Sequence, residues 1–163
     1  MKLKKILVEK NKILVILLLL LITALIYFGI FFQKQKTHIN DTFNVAQKVY
    51  IDEKLFNLKI ADDSKEWSRG LMDVLSLQPD QGMLFIFDDN KPRSFWMKNT
   101  YIPLDIIFID DQFKVIKIYN NTKPLDTSLR YNSILPAKYV LELTPGSADA
   151  LKLDTNDSIK LIF

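Results

Sequence analysis

The sequence predicts a β-rich α+β domain, a small barrel- or sandwich-like fold with one or two short helices, carried behind a single N-terminal transmembrane helix. Three observations lead there. From Ile13 to Phe32 no side chain is ionisable except Tyr27. Beyond about residue 48, short apolar runs with strand-like spacing recur between polar turns. Only one stretch of that region combines a helix-start signal with helical spacing of its apolar residues.

The N-terminal run is long enough to cross a bilayer, because twenty helical residues rise roughly 30 Å, the thickness of the hydrocarbon core. Lys2, Lys4, Lys5, Lys10 and Lys12 precede it against Glu9 alone, whereas only Lys34 and Lys36 follow closely. That asymmetry places residues 1–12 in the cytoplasm. A cleaved signal peptide would share the basic start, but its apolar core is about 7 to 15 residues and ends at a small-residue site. Here the run ends in "FFQKQK", so residues 13–32 read as an uncleaved anchor in the lipid bilayer. Residues 33–47 read as a polar tether, which holds His38, the single histidine and a solvated one on this reading. Residues 48–163 form the extracytoplasmic domain.

Dividing the chain at this point changes the meaning of its charge. Residues 1–36 hold seven Lys and one Glu, a net of +6; the rest holds 15 Lys plus Arg and 18 Asp plus Glu, a net of −3. A domain with that balance lacks the basic surface that phosphate backbones require, which argues against a nucleic-acid partner. The absence of cysteine removes disulfides, thiolate metal sites, a thiol nucleophile and a lipid-accepting thiol.

Within the domain, "KLFNLKIA" (54–61) sets Phe56, Leu58 and Ile60 against Asn57 and Lys59, the alternation of a half-buried strand. Asp63 and Glu66 form a capping-box-like helix start. Trp67, Gly70, Leu71, Val74 and Leu75 then share a helical face, with Arg69 and Asp73 opposite at i, i+4. After the "QPDQG" turn, "MLFIF" (83–87) predicts a buried strand closed by the polar "DDNKPR". Further strands are expected at 95–99, 104–109, 113–119, 138–143 and 158–163, with residues 110–112 as a hairpin connection and a second helix at 147–151.

The segments "RGLM" (69–72), "GMLFIF" (82–87), "FWMKNTYIPLDIIFID" (95–110) and "AKYVLEL" (137–143) resemble the domain of unknown function 192 family over about residues 50–163. The resemblance implies a small β-rich fold, often behind a signal or membrane anchor in bacteria and archaea, and no named activity. Trp67 and Val74 stand where the family implies basic residues, which weakens any anion site built on the helix. Asn156 and Asp157 replace a Gly-Asp turn, exchanging one turn-former for another.

Candidate site residues concentrate in the central block. Strand alternation would set Phe95, Met97 and Asn99 on one side and Trp96, Lys98 and Thr100 on the other. On a scaffold reading, Phe95 and Met97 fill the core, Asn99 and Thr100 bond a turn, and Asp105 accepts backbone N–H groups at a strand start. On a functional reading, Trp96, Lys98 and Asp105, with Arg69, Asn99 and Glu142, line a shallow ligand site in which an aromatic face stacks and charges orient. A carboxylate entering "IIFID" must find a cation or several donors, and Lys98 is near in the chain.

With the histidine in the tether and no cysteine, triad and Cys–His chemistry are excluded from the domain. A Ser94–Lys98 dyad, or a hydrolase acting on cell-envelope material through Asp105 and Glu142, remains as an alternative. Met72, Met83 and Met97 beside Trp96 offer soft sulfur suited to Cu(I), a second alternative; no other metal and no cofactor is expected. The sequence therefore points to a membrane-anchored binding or accessory module rather than an enzyme, its ligand an envelope glycan, a small molecule or an envelope protein. A purely structural interaction domain is the remaining alternative.

Overall fold

The computed structural model describes the backbone of residues 2–43 and 46–162, and the side chains of 10–33 and 46–162. The chain divides into two units, Met1–Asn40 and Asp41–Phe163. The N-terminal unit is built from helix α1, Lys2–Phe43. Within it Lys10–Gln33 has a mean hydropathy of 3.1 over its most apolar window and is long and apolar enough to cross a membrane. The Thr23 hydroxyl is satisfied locally, its Oγ1 donating to the Leu20 carbonyl at 2.8 Å. Backbone helicity continues to Phe43, through most of the expected tether; the His38 side chain lies outside the described residues.

The C-terminal unit is a seven-stranded mixed sheet, curled as a half-barrel, with two short helices. In chain order its elements are β1 (Gln47–Ile51), β2 (Lys54–Ala61), α2 (Ser64–Arg69), β3 (Gln81–Phe95), β4 (Asp105–Ile109), β5 (Val115–Tyr119), β6 (Tyr131–Leu143), α3 (Ser147–Ala150) and β7 (Leu161–Ile162). The spatial order is β5-β4-β6-β3-β2-β1-β7. Every pairing is antiparallel except β2 with β3, which are parallel. A parallel pair cannot be joined by a tight turn, and the crossover here carries α2.

Side chains alternate across the central strands, so the sheet buries both faces. Met83, Phe85, Phe87, Ile106, Phe108 and Val140 belong to one core cluster. Leu84, Ile107, Ile109, Leu141 and Leu143 belong to the other. Two buried layers explain why "DIIFI" is buried at all five positions of β4 and reads as a continuous apolar run.

Several expected elements keep their place: β2 spans the predicted 54–61, β4 and β5 form the predicted hairpin, and α3 covers most of 147–151. The Asp110 carboxylate accepts from the N–H groups of Gln112 and Lys114, which closes that hairpin. Asp63 caps α2, its carboxylate accepting from the Glu66 N–H at 2.8 Å.

Four expectations are corrected. The helix does not continue to Leu75; it ends at Gly70, whose φ of 51° stops it. Leu71 and Val74 are buried nonetheless, while Leu75 is exposed. Arg69 and Asp73 form no pair, because Asp73 sits at φ 64° in a turn and its N–H donates to the Asn99 carbonyl. β3 does not close at "DDNKPR" but runs to Phe95, since its outer half pairs with Tyr131–Ala137 of β6 across bulges. No strand occupies 95–99: after Phe95 the chain turns, with the Thr100 N–H donating to the Met97 carbonyl and Asn99 at φ 52°. Local composition could not show either outcome, since both depend on which distant strand offers hydrogen bonds. β7 falls within the expected 158–163, whereas β1, which pairs with both β2 and β7, was not among the expected strands.

Gly82 on β3 leaves no room for a side chain against β6. A Cβ there would lie 2.4 Å from the Glu142 carbonyl oxygen and 2.6 Å from Leu143 Cδ2. Gly82→Ala should therefore destabilise the protein by about 1–3 kcal/mol through overpacking against backbone, read as a lowered urea midpoint with the m-value unchanged.

Candidate functional site

β6 delivers Glu142 into the aromatic side of the sheet, in register with Met83 on β3 and Ile106 on β4. Its side chain is 5% exposed. Among the described residues Glu142 Oε2 has no hydrogen-bond partner. Desolvation pushes the carboxyl up to about 8, so at neutral pH it is held largely as the uncharged acid. It faces a small cavity of about 30 Å³, lined also by Arg69, Gly70, Met72, Phe95 and Trp96. That volume suits roughly one water-sized group.

Beside this cavity opens a groove of about 440 Å³, lined by Trp67, Phe87, Arg93, Ser94, Phe95 and Trp96 with serines of α2. Cavity and groove share Trp67, Ser68, Phe95 and Trp96. Trp67 is a fixed wall: its indole N–H is shared between the carbonyls of Ala61 at 3.0 Å and Ile86 at 3.2 Å. Its ring packs at 5.0 Å from Phe87, and Phe95 meets both Phe85 and Phe87 edge to face. Trp96 is 37% exposed, with the Arg130 guanidinium 4.3 Å and the Lys98 ammonium 5.0 Å from its ring centroid.

Charge in the groove is arranged asymmetrically. Arg93 is committed: it pairs with Asp89, donates to the Ala137 carbonyl and covers Phe87. Lys91 and Arg93 hold the Asp89 carboxyl down at about 2. Arg69, at the end of α2, is exposed and its guanidinium takes part in no ion pair or hydrogen bond among the described residues.

The predicted site residues thus separate into two groups. Arg69, Trp96 and Glu142 line one cavity. Asp105, Lys98 and Asn99 do not line it or the groove. Asp105 is fully buried on the opposite face of the sheet, where Oδ1 accepts from the Asn121 N–H at 2.9 Å and Oδ2 from the Ala148 N–H at 3.0 Å. It ties β4 to a loop and to α3, as the scaffold reading expects, and needs no Lys98. The Asp105–Glu142 acid pair is accordingly corrected: alternation puts the two carboxylates on different faces, so they cannot flank one bond. Asn99 serves the turn through its backbone. Ser94 lines the groove but Lys98 lies over Trp96. Of Met72, Met83 and Met97, Met72 alone lines the cavity; Met83 and Met97 are core residues, and the Met97 sulfur accepts from the Thr122 hydroxyl at 3.3 Å.

Sequence reasoning missed Trp67, Phe87 and Arg93 as groove walls and Arg130 as a cation on Trp96. One signal was present: the chain has two tryptophans, and both line this groove. Nothing local marked Arg93 or Arg130, which arrive through the β3–β6 pairing.

Comparison with known proteins places these features. The family described as DUF192, Uncharacterized ACR, matches residues 47–161. A Sinorhizobium meliloti 1021 crystal structure, whose protein is described by proposal only as a transcription regulator, superposes with a TM-score of 0.65 at 32% identity, covering 70% of this chain and 92% of that one. A Novosphingobium aromaticivorans DSM 12444 protein of unknown function gives 0.65 at 31% identity, over 71% and 84% of the two chains. Among curated proteins none matches.

The buried acid makes stability depend on pH. Glu142 ionises near 4.5 in the unfolded chain and near 8 in the folded one, so between those values the folded state binds more protons. Its contribution is full below pH 4.5, falls by up to about 1.4 kcal/mol per pH unit above it, and levels off past pH 8. Thermal midpoints from pH 5 to 9 should fall less steeply for Glu142→Gln than for the natural protein; parallel profiles would refute a buried protonated acid.

Proposed function

Because this chain belongs to the domain of unknown function 192 family, to which no activity is assigned, we propose its function from its own side chains: a membrane-anchored, extracytoplasmic binding module whose ligand lies in the Trp67–Trp96 groove. One observation carries this reading. A carboxyl group buried without a partner costs about 1–3 kcal/mol, and here it adjoins an open aromatic groove where a ligand could supply the missing bond. A purely structural role would favour an apolar residue or a paired acid at that position, as Asp105 illustrates on the other face.

Anchoring is supported by the exposed apolar side chains of α1 between Ile13 and Phe32 and by the lysine excess ahead of them. The head then faces the outer compartment, where an envelope glycan, a small molecule or an envelope protein is within reach. Catalysis is not favoured, since among the described residues Arg69 is the one other charged side chain lining the Glu142 cavity and no second acid or base lines it. The transcriptional role proposed for the Sinorhizobium neighbour is not carried over, because residues 37–163 carry a net charge of −3.

The cysteine-free chain makes topology directly testable. In intact cells a membrane-impermeant maleimide should label Asp111→Cys and leave Lys12→Cys unlabelled until the membrane is opened; the reverse pattern would overturn the orientation. Binding is read by the tryptophans themselves. Soluble glycan fragments and envelope small molecules, titrated into the full-length protein in detergent micelles, should include at least one that shifts emission saturably and loses roughly tenfold or more in affinity with Trp96→Ala. A panel without any saturable shift would count against the groove as a binding site.

A further inference from the structure

Resting on that binding reading, the geometry points to a ligand bearing a carboxylate, one oxygen of which enters the small cavity between Arg69 and Glu142 while the remainder lies along Trp67, Phe95 and Trp96. Arg69 and Glu142 line the same cavity and do not bond to each other or to another described side chain. One is a permanent cation with free donors and the other, when protonated, a single O–H donor. A group accepting from both satisfies both, and a carboxylate does so with charge-assisted bonds. The cavity of about 30 Å³ has room for about one oxygen.

The surroundings favour an anion. Facing Glu142 are Met83 of β3 and Ile106 of β4 in register, with Phe85, Phe95 and Thr100 lining the cavity, all uncharged; Arg69 is the charged group among them. Lys98 and Arg130 add positive charge around Trp96. A ligand ammonium would meet these cations and require Glu142 to ionise in an apolar setting. A neutral hydroxyl would leave the guanidinium without its counter-charge. Protonated Glu142 is the form that can donate, and its folded value near 8 keeps it protonated at neutral pH.

Three probes with one ring body decide the class: cyclohexanecarboxylate, cyclohexanol and cyclohexylammonium, titrated against tryptophan emission of the full-length protein in micelles. The carboxylate should bind at least tenfold more tightly than the other two. Arg69→Gln, an exposed substitution that spares the core, should erase that preference. Glu142→Gln, which keeps a donor, should stay within about threefold, whereas Glu142→Leu should lose tenfold or more. For the natural protein, affinity should fall about tenfold per pH unit above pH 8, as Glu142 ionises, and Glu142→Gln should remove that fall. Glucuronate and N-acetylalanine then distinguish a sugar acid from a peptide terminus as the source of the carboxylate. Tighter binding of the ammonium or the alcohol would overturn the inference while leaving the groove a binding site; no saturable response to any of the five compounds would overturn both.

Discussion

The rung Met83–Glu142–Ile106, which crosses β3, β6 and β4 at the centre of the sheet, is the constraint on which the rest of the head depends. Successive side chains in a strand point to opposite faces, so this register decides the faces of the residues around it, up to the bulges between β3 and β6. It sends Glu142 to the side of Phe85 and Phe108 and sends Leu141 and Leu143 to the other. A slip of one residue would exchange the two sets. Gly82 guards the register, because the backbones of β3 and β6 approach there without room for a Cβ.

The same alternation gives two buried carboxylates opposite fates. Asp105 lands where a loop N–H and the first turn of α3 converge, and two backbone donors satisfy it. Such a carboxylate works as a strut, holding three segments that the strand ladder does not join. Glu142 lands among rings, where no backbone donor reaches Oε2. The contrast assigns roles that identity alone cannot: both are acids in apolar stretches, yet one is architecture and the other is left unsatisfied at the edge of a groove. Unsatisfied groups of this kind are where function commonly departs from what folding would favour.

The groove owes its shape to aromatic packing rather than to loops. Trp67 is pinned by two carbonyls, Phe87 and Phe95 stand against it, and Trp96 turns outward where β3 ends. Position 67 supplies the indole that forms one wall. An aromatic wall with a neutral acid and one uncommitted guanidinium beside it suits a ligand with an apolar or ring-shaped body and a single anionic end.

What the sequence determined by itself was whatever depends on near neighbours. The apolar length of 13–32, the Asp63 cap, the alternation of 54–61, the Asp110 hairpin and the β-rich class all follow from spacing within a few residues, and the quoted motifs were enough to indicate the family. Tertiary structure alone decided what depends on distant partners: the extension of β3 through "DDNKPR", the turn at Met97–Thr100 in place of a strand, the early stop of α2 at Gly70, and the separation of Asp105 from Glu142. In the sequence those two carboxylates look like equal members of one site. They part because strand pairing brings residues 105 and 142 onto adjacent strands one register position apart, and in a pleated sheet one position is the difference between its two faces.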